Sequence, residues 1–237
     1  MAMRINRPTA LINAINKSCR ECLVIFTSTD LVYEGNSPPY YADDNNPPTG
    51  RTQYGITKHA FERDVLTLKN GVVFRLSNMV GPKYQYEKVG CKFLQFLIEK
   101  LATKEYLGLF HDQVRSFVFV KDVACLISRT VDMYLSTVPF DKQGVYNVGG
   151  PNGCSRVDLA RELCTVTNTP FVVHEDKQEG FEPPGGGTWA VYNTSNSTVF
   201  IAPGINNPAN VTMDSRRTEE IFKVKFKTMR EAIAESI

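Results

Sequence analysis

Short apolar runs and amphipathic segments alternate at the start of the chain. Leu11, Ile12 and Ile15 recur at helical spacing, which predicts a helix from Pro8 to Lys17. The next segment, LVIFT at residues 23–27, is apolar at every position but the last, as is typical of a strand that a parallel sheet covers on both faces. A buried strand is therefore expected to follow the first helix.

A loop, a second helix and a second strand follow. Residues 35–51 are rich in Pro, Asn and Asp, which indicates a loop. Helical spacing predicts a helix from Thr52 to Leu68, and GVVFRL at 71–76 predicts a strand that ends in SNMVGP. The order strand, loop, helix, strand is that of an α/β unit. We therefore predict an α/β fold with a doubly wound parallel sheet.

The remainder of the chain has shorter strands and longer loops. The pattern predicts helices at 90–103, 123–135, 155–164, 215–222 and 228–237, and strands at 107–110, 115–120 and 145–148. Asp122 and Ser155 are expected to cap the second and third of these helices. PPGGGTWAVYNTSNS at 183–197 predicts a flexible or inserted loop. We divide the chain into residues 1–82, part of the sheet domain, and 83–237, which hold the rest of the sheet and a small lobe.

The composition excludes several classes of partner. Hydrophobic residues make up 42% of the chain and charged residues 22%, as in an ordinary globular protein. The formal net charge of +2 is too small to indicate binding to nucleic acid or to an anionic membrane. No run of about 18 apolar residues and no apolar leader is present. We therefore expect a cytoplasmic protein that has neither a membrane nor a nucleic acid as partner.

The cysteines and histidines do not form a metal-binding pattern. Cys19 and Cys22 form a CxxC, but the other cysteines are scattered and provide no second pair. These others are Cys91, Cys125, Cys154 and Cys164. We interpret the cysteines as buried or partly buried thiols in a reducing compartment, with a redox-active CxxC as the alternative. No metal site is predicted.

Side chains that can transfer a proton lie next to the end of the first strand. Thr29 follows that strand, and Tyr54 and Lys58 share one face of the next helix because they are four residues apart. Ligands of doubly wound sheets bind outside the carboxyl ends of the strands, where these three side chains can meet. A lysine cation near a phenol lowers the phenol pKa from about 10. The three residues could therefore exchange a proton with an alcohol or ketone oxygen while a hydride moves.

Several stretches of sequence carry a family resemblance that spans nearly the whole chain. They are STDLVYEG (28–35), QYGITKHAFE (53–62), VVFRLSNMVGP (72–82), HDQVRSFVFVKDVA (111–124), VYNVGGPNGCSRVDLARELC (145–164) and MDSRRTEEIFKVKFKTMREAI (213–233). Together they resemble the extended short-chain dehydrogenase/reductase family, above all its dTDP-4-dehydrorhamnose reductase-like members. The resemblance implies a partial Rossmann-type sheet with a small C-terminal substrate-binding lobe. It also implies an NAD(P)-dependent reductase of a nucleotide-activated 4-keto sugar.

The resemblance assigns roles to individual residues. It implies catalytic roles for Thr29, Tyr54 and Lys58. It implies contacts with NADP or NAD from Thr27, Ser28, Tyr54, Lys58, Leu76, Ser77 and Asn78. Substrate contacts are implied for Asp30 and for Arg115, whose guanidinium suits a diphosphate.

The residues themselves leave other interpretations open. Thr29 or Asp30 could cap a turn, and Arg115 could form a surface salt bridge. Arg75 is expected to form a structural ion pair rather than to bind a ligand.

One departure from the family leaves the function open. The glycine-rich turn GxxGxxG, which binds the dinucleotide pyrophosphate at the start of such chains, does not occur, and Gly185–Gly187 lies too late. Either the chain is a truncated reductase or epimerase, with a nucleotide-sugar substrate and a possible homodimer, or it is a non-catalytic binding protein. The second interpretation implies a regulatory protein partner, as for the methionine adenosyltransferase beta subunit.

Overall fold

The computed structural model describes residues 7–42, 50–83, 93–102, 107–109, 113–136, 139–169, 172–174, 191–193 and 208–237. The helices in these ranges are α1 (Thr9–Ser18), α2 (Gln53–Val65), α3 (Phe93–Ala102), α4 (Val120–Leu135), α5 (Arg156–Val166), α6 (Arg216–Phe222) and α7 (Met229–Ala234). The strands are β1 (Leu23–Thr29), β2 (Asn70–Leu76), β3 (Met79–Val80), β4 (Leu107–Gly108), β5 (Val114–Arg115), β6 (Val118–Phe119), β7 (Gly144–Val148), β8 (Cys154–Ser155), β9 (Val172–His174) and β10 (Val191–Asn193). None of the helices in these ranges is long and apolar enough to cross a membrane.

A three-stranded parallel sheet, in the order β1-β2-β7, organises the chain. β1 runs alongside β2 from the Leu23–Asn70 pair to the Thr29–Leu76 pair. β2 is buried from its first residue up to Arg75 because it is the central strand. The predicted parallel α/β sheet is therefore confirmed, and β7 joins it from the second half of the chain.

Helices cover both faces of this sheet, as a doubly wound arrangement requires. Successive residues of a strand point to opposite faces. Val73 packs with side chains of α1, of α2 and of the turn after α2, which are Ile12, Phe61, Val65 and Leu68. Its neighbours in β2 face the other way, where the core contains Val72, Phe74, Val123, Leu126, Tyr146, Phe222 and Phe226. Burial of each large apolar side chain stabilises the fold by about 1.5–3 kcal/mol.

The single strand predicted at 115–120 is wrong, because the structure divides it in two. Arg115 pairs with Cys154 in an antiparallel sheet, whereas Val118 pairs with Met79 in a parallel one. Ser116 separates the halves: its carbonyl accepts from Gly150 N at 3.1 Å and its hydroxyl from Met213 N at 3.0 Å. The two halves therefore bind different neighbours.

Only one of the two predicted helix caps is confirmed. The Ser155 hydroxyl accepts from the Asp158 amide at 3.1 Å, and the Asp158 carboxylate accepts in return, which forms a capping box. Asp122 is not a cap, since α4 begins at Val120. Its carboxylate instead accepts from the backbone N–H of Lys227 at 2.8 Å, so it joins the helix to the C-terminal segment.

The loop predicted at 183–197 also needs a correction. Val191–Asn193 form β10, which pairs with β9 and β4. The other residues of that stretch lie outside the described ranges.

The interpretation of the CxxC cysteines as thiols is wrong, because Cys19 and Cys22 form a disulfide. Cys154 and Cys164 are buried free thiols, whose pKa burial raises to about 12 and about 11. Cys125 is an exposed free thiol, and Cys91 lies outside the described residues. Among the residues that are described, no cluster of His, Cys, Asp and Glu could hold a metal ion.

Candidate functional site

The predicted site residues lie at one edge of the sheet, where the parallel strands end. The last residue of β1, Thr29, pairs with the last residue of β2, Leu76. Ser77 N then donates to Val148 O of β7 at 3.1 Å. Because the carboxyl ends of the strands meet here, side chains from distant parts of the sequence share one edge. We call this edge, together with the first two turns of α2, the strand-end site.

A glycine lets α2 approach the backbone that follows β1. The Thr52 hydroxyl caps α2 by accepting from Gly55 N at 3.0 Å. A Cβ atom at Gly55 would lie 2.0 Å from the carbonyl oxygen of Leu31, a distance that no side chain tolerates. The first turn of the helix therefore packs directly on the 3₁₀ turn Asp30–Val32, and this contact carries Tyr54 to the strand-end site.

Lys58 is attached to the end of β1. Its Nζ donates to the Thr27 carbonyl at 2.8 Å and lies 4.6 Å from the centre of the Phe26 ring. The same Nζ is 5.7 Å from the centre of the Tyr54 ring. Burial lowers the pKa of Lys58, and the Glu62 carboxylate opposes that shift. The structure thus brings Tyr54 and Lys58 together, with the ammonium directed at the backbone of the strand.

The predicted net lowering of the Tyr54 pKa is wrong in direction. The pKa of Tyr54 lies above its ordinary value, because burial disfavours the phenolate and the charge of Asp30 disfavours it further. Lys58 does not reverse these effects, since its ammonium is bonded to Thr27 O rather than to the phenol. The phenol, in a side chain that is 44% exposed, is therefore protonated at neutral pH.

Thr29 and Asp30 are buried and joined to each other. The Thr29 hydroxyl accepts from Leu31 N at 3.2 Å and donates to Asp30 Oδ1 at 3.4 Å, so Thr29 does cap the 3₁₀ turn. Asp30 Oδ2 accepts from the Ser77 hydroxyl at 2.9 Å. Burial raises the pKa of Asp30, an effect that Arg115 opposes.

Arg115 is buried beside Asp30, with its Nε atom 3.9 Å from Asp30 Oδ2. Its Nη1 donates to Val114 O at 2.9 Å, and its Nη2 donates to Pro208 O at 3.0 Å. The interpretation as a surface salt bridge does not fit this burial. The predicted diphosphate contact stays a prediction. The Arg115 guanidinium already donates to carbonyl groups of the 208–209 segment.

The residues predicted to contact a cofactor differ in exposure and in whether their side chains already form hydrogen bonds within the protein. Thr27 and Asn78 are exposed, and Leu76 is partly buried. The Ser28 hydroxyl donates to Glu62 Oε1 at 2.5 Å, and the Ser77 hydroxyl donates to Asp30. Both serine hydroxyls are therefore engaged within the protein.

A buried hydrogen-bond network behind the site was not predicted, apart from Arg75. Glu62, which is 1% exposed, forms an ion pair with Arg75 in which Nη2 and Oε2 are 2.7 Å apart, so the structural role predicted for Arg75 is confirmed. Arg75 Nη1 also donates to the Tyr33 hydroxyl at 3.0 Å, which in turn donates to Asn147 Oδ1 at 2.6 Å. No local spacing reveals this network, because its hydrogen bonds join residues that are 13 to 114 positions apart in the sequence.

This network holds the helix that carries Tyr54 and Lys58 against the sheet. Glu62 lies on α2 and binds Ser28 of β1 and Arg75 of β2, while Asn147 belongs to β7. A single carboxylate therefore holds the helix of Tyr54 and Lys58 against two strands. We call Glu62, Arg75, Ser28, Tyr33 and Asn147 the anchor network.

Comparison with known proteins identifies the family. The RmlD substrate binding domain matches residues 1–237. The chain is 29% identical over 149 residues to methionine adenosyltransferase 2 subunit beta of Xenopus laevis, which is 62% of this chain and 42% of that protein. The chain thus spans about half the length, or less, of the curated relatives that it matches.

Solved structures share the fold. A dTDP-glucose 4,6-dehydratase of Bacillus anthracis, solved with NAD, has a TM-score of 0.68 at 19% identity and covers 99% of this chain and 66% of its own. A dTDP-4-dehydrorhamnose reductase of the same organism, solved with NADP, has a TM-score of 0.64 at 19% identity and covers 90% of this chain and 64% of its own. These likenesses confirm the predicted Rossmann-type α/β fold.

Loss of the Glu62 carboxylate is expected to destabilise the fold strongly. Glu62→Ala leaves the Arg75 guanidinium buried without its partner, which costs about 3–5 kcal/mol of unfolding free energy in comparable sites. Glu99→Ala is the matched control, since the Glu99–Lys83 pair is solvent-exposed at 3.2 Å and such pairs contribute about 0–1 kcal/mol. Urea unfolding of both variants measures the difference, and equal losses would contradict the anchoring role.

Removal of the Asp30 charge is expected to lower the pKa of Tyr54. The Asp30 carboxylate opposes phenolate formation, so Asp30→Asn should shift the phenol titration to lower pH, while Tyr54 keeps its partly buried position. The difference between the ultraviolet titrations of chains with and without Tyr54→Phe isolates this phenol. Asp132→Asn, on the exposed face of α4, is the control and should leave the titration unchanged; an equal shift there would refute a local effect.

Proposed function

The chain belongs to the RmlD substrate binding domain family, and from this membership we propose that its strand-end site reduces a nucleotide-activated 4-keto sugar with NADPH or NADH. The observation that carries the proposal is the convergence of Tyr54, Lys58 and Asp30 at the carboxyl ends of β1 and β2. The fold similarity to a dTDP-4-dehydrorhamnose reductase supports it.

The strand-end site fits the nicotinamide half of such a cofactor. The Lys58 ammonium lies at the end of β1 beside the exposed Thr27, and Asn78 is exposed beyond the end of β2. An ammonium group suits the hydroxyl groups of a ribose, because it donates several hydrogen bonds. Ser28 and Ser77 would contribute through their backbone, since their hydroxyls bond to Glu62 and Asp30. The bound cofactor would supply the hydride.

The pyrophosphate half does not fit the residues of this chain. The 237-residue sequence contains no GxxGxxG turn, and that turn supplies the backbone N–H groups and the helix N-terminus that hold a pyrophosphate. The two cations beside the strand ends are already engaged: Lys58 donates to Thr27 O, and Arg115 lies beside Asp30 and donates to the Val114 and Pro208 carbonyls. The affinity of the chain for a dinucleotide should therefore be low.

Tyr54 is the proton donor of the proposed reaction. A phenol with a raised pKa is protonated at neutral pH, which is the state that the reductive direction needs. When the proton passes to the C4 oxygen of the sugar, the positive charge of Lys58 on the same helix face stabilises the phenolate. The hydroxyl of Thr29 would turn from Asp30 to the substrate oxygen, since its present bond to that carboxylate is long, at 3.4 Å. Asp30 would orient the substrate.

A regulatory binding protein is the second candidate. The observation that favours it is the 29% identity to methionine adenosyltransferase 2 subunit beta, together with the missing pyrophosphate turn. In that case the anchor network would maintain a surface that binds a partner protein, and the positions of Tyr54 and Lys58 would serve no reaction. An epimerase would use the same Tyr54 and Lys58. The two activities are therefore distinguished by identifying the reaction product, not by substituting these residues.

Binding of nicotinamide cofactors to the 237-residue chain is expected to be weak or absent. The reason is the lack of backbone donors for the pyrophosphate. Titration with NADPH, followed by its fluorescence, measures the affinity, and Lys58→Ala gives the baseline for any contact at the strand-end site. Micromolar affinity that Lys58→Ala abolishes would overturn this expectation.

Loss of the Tyr54 hydroxyl should remove most turnover in a chain that includes a pyrophosphate-binding segment. Tyr54→Phe keeps the ring but not the proton, and general acid catalysis contributes about 10²–10⁴-fold. NADPH oxidation with a dTDP-activated 4-keto sugar, followed at 340 nm, measures the loss. Tyr41→Phe, at a tyrosine of similar exposure in the 35–51 loop, is the control. An unchanged rate for Tyr54→Phe would defeat the mechanism, and no turnover in the unmutated chain would favour the regulatory candidate.

A further inference from the structure

A disulfide closes the turn between α1 and β1, at the end of the sheet opposite the strand-end site. Cys19 follows α1, and its N–H donates to Ile15 O at 2.8 Å. Cys22 precedes β1, and its N–H donates to Cys19 O at 3.0 Å. The two Cα atoms are 5.5 Å apart. Cys19 is exposed and Cys22 is half-buried, so solvent reaches at least one residue of the bond.

We propose that Cys19 and Cys22 form a thiol–disulfide exchange site, at which a dithiol opens the bond and the disulfide form of the same partner re-forms it while the chain stays folded. The proposal is independent of the strand-end site and of its proposed chemistry. The partner is a dithiol of either kind, a small molecule or a protein with paired thiols.

The turn keeps its shape without the disulfide. Between the cysteines, the Glu21 carbonyl accepts from Asn70 Nδ2 at 2.8 Å and from the Tyr134 hydroxyl. The Glu21 carboxylate pairs with Lys69 at 2.7 Å. Arg20 Nε also donates back to Asn16 O of α1 at 3.0 Å. Because these bonds hold the turn to β2, α4 and α1, the reduced thiols remain adjacent and re-oxidation is intramolecular.

The bond contributes less than a long-range cross-link would. A disulfide stabilises mainly by restricting the unfolded chain, and a loop with a sequence separation of 3 restricts it less than a long loop does. Reduction should therefore lower the stability of the chain without unfolding it. Loss of the bond is then compatible with a folded protein, as reversible exchange requires.

The position of Cys19 at the C-terminal end of α1 indicates how easily the disulfide is reduced. α1 ends next to Cys19, and the negative end of a helix dipole disfavours a thiolate there. A disulfide whose thiolates are disfavoured is not a strong oxidant. The disulfide is therefore expected to open only to a strongly reducing dithiol, and the reduced pair to pass its two electrons back readily to an oxidised partner. The other free cysteines of the described chain do not compete, since Cys154 and Cys164 are buried and Cys125 is single.

The reaction balances with one dithiol. A thiolate of the dithiol attacks Cys19 Sγ, the S–S bond breaks, and Cys22 leaves as a thiolate that takes a proton from water. The second thiol of the reductant loses its proton and attacks the reductant's own sulfur in the mixed disulfide, which releases Cys19. Two electrons and two protons pass to the protein, and the dithiol becomes a disulfide.

Redox titration of the folded chain tests the proposal. The chain is equilibrated with mixtures of reduced and oxidised dithiothreitol, free thiols are alkylated, and each cysteine is quantified by mass spectrometry. We expect Cys19 and Cys22 to be alkylated together and reversibly, with the circular dichroism unchanged and the Tm lowered by less than about 8 °C. Cys125→Ser should behave identically, and Cys22→Ser should leave Cys19 as a free thiol that is alkylated at every ratio of reduced to oxidised dithiothreitol.

Three results would overturn the proposal. Cys19 and Cys22 could be alkylated as free thiols in the air-oxidised native chain, which would mean that the bond does not form. The bond could resist the dithiol until the chain is denatured. Reduction could unfold the chain, which would make the disulfide a structural cross-link.

Discussion

The buried ion pair between Glu62 and Arg75 is the interaction on which the arrangement of the site depends. Two charges this deep are tolerated only when they are paired and further hydrogen-bonded, and here Ser28 and Tyr33 complete the bonding. The same carboxylate joins a helix to two strands. The position of the Tyr54 helix therefore follows from an electrostatic requirement, while the apolar cores on either face of the sheet supply most of the stability.

Much of the fold could be predicted from sequence because its elements follow simple periodicities. The apolar strands at 23–29 and 70–76 and the helix between them obey local rules of burial, and Ser155 follows a local capping rule. The division of 115–120 between two sheets could not be predicted in this way. It depends on where Ser116 meets Gly150 and Met213, and such contacts join residues far apart in the sequence.

The positions of the predicted residues at the strand ends were predicted more accurately than their electrostatics. Spacing alone brings Tyr54 and Lys58 to one helix face, but the sign of a pKa shift depends on what else lies near the phenol. Burial and the Asp30 charge are three-dimensional properties, and they outweigh the lysine, whose ammonium is bonded to a strand carbonyl. Likewise, the free or engaged state of the Ser28 and Ser77 hydroxyls is set by Glu62 and Asp30, which no local pattern reveals.

The contact between Gly55 and the Leu31 carbonyl has a consequence for how such a site can diversify. Helix α2 touches the strand end through main-chain atoms, so its placement does not depend on which side chains line the surrounding surface. Those side chains can be exchanged for others without moving the phenol. A scaffold of this kind lets the side chains that meet a ligand change while the backbone that carries Tyr54 stays in place.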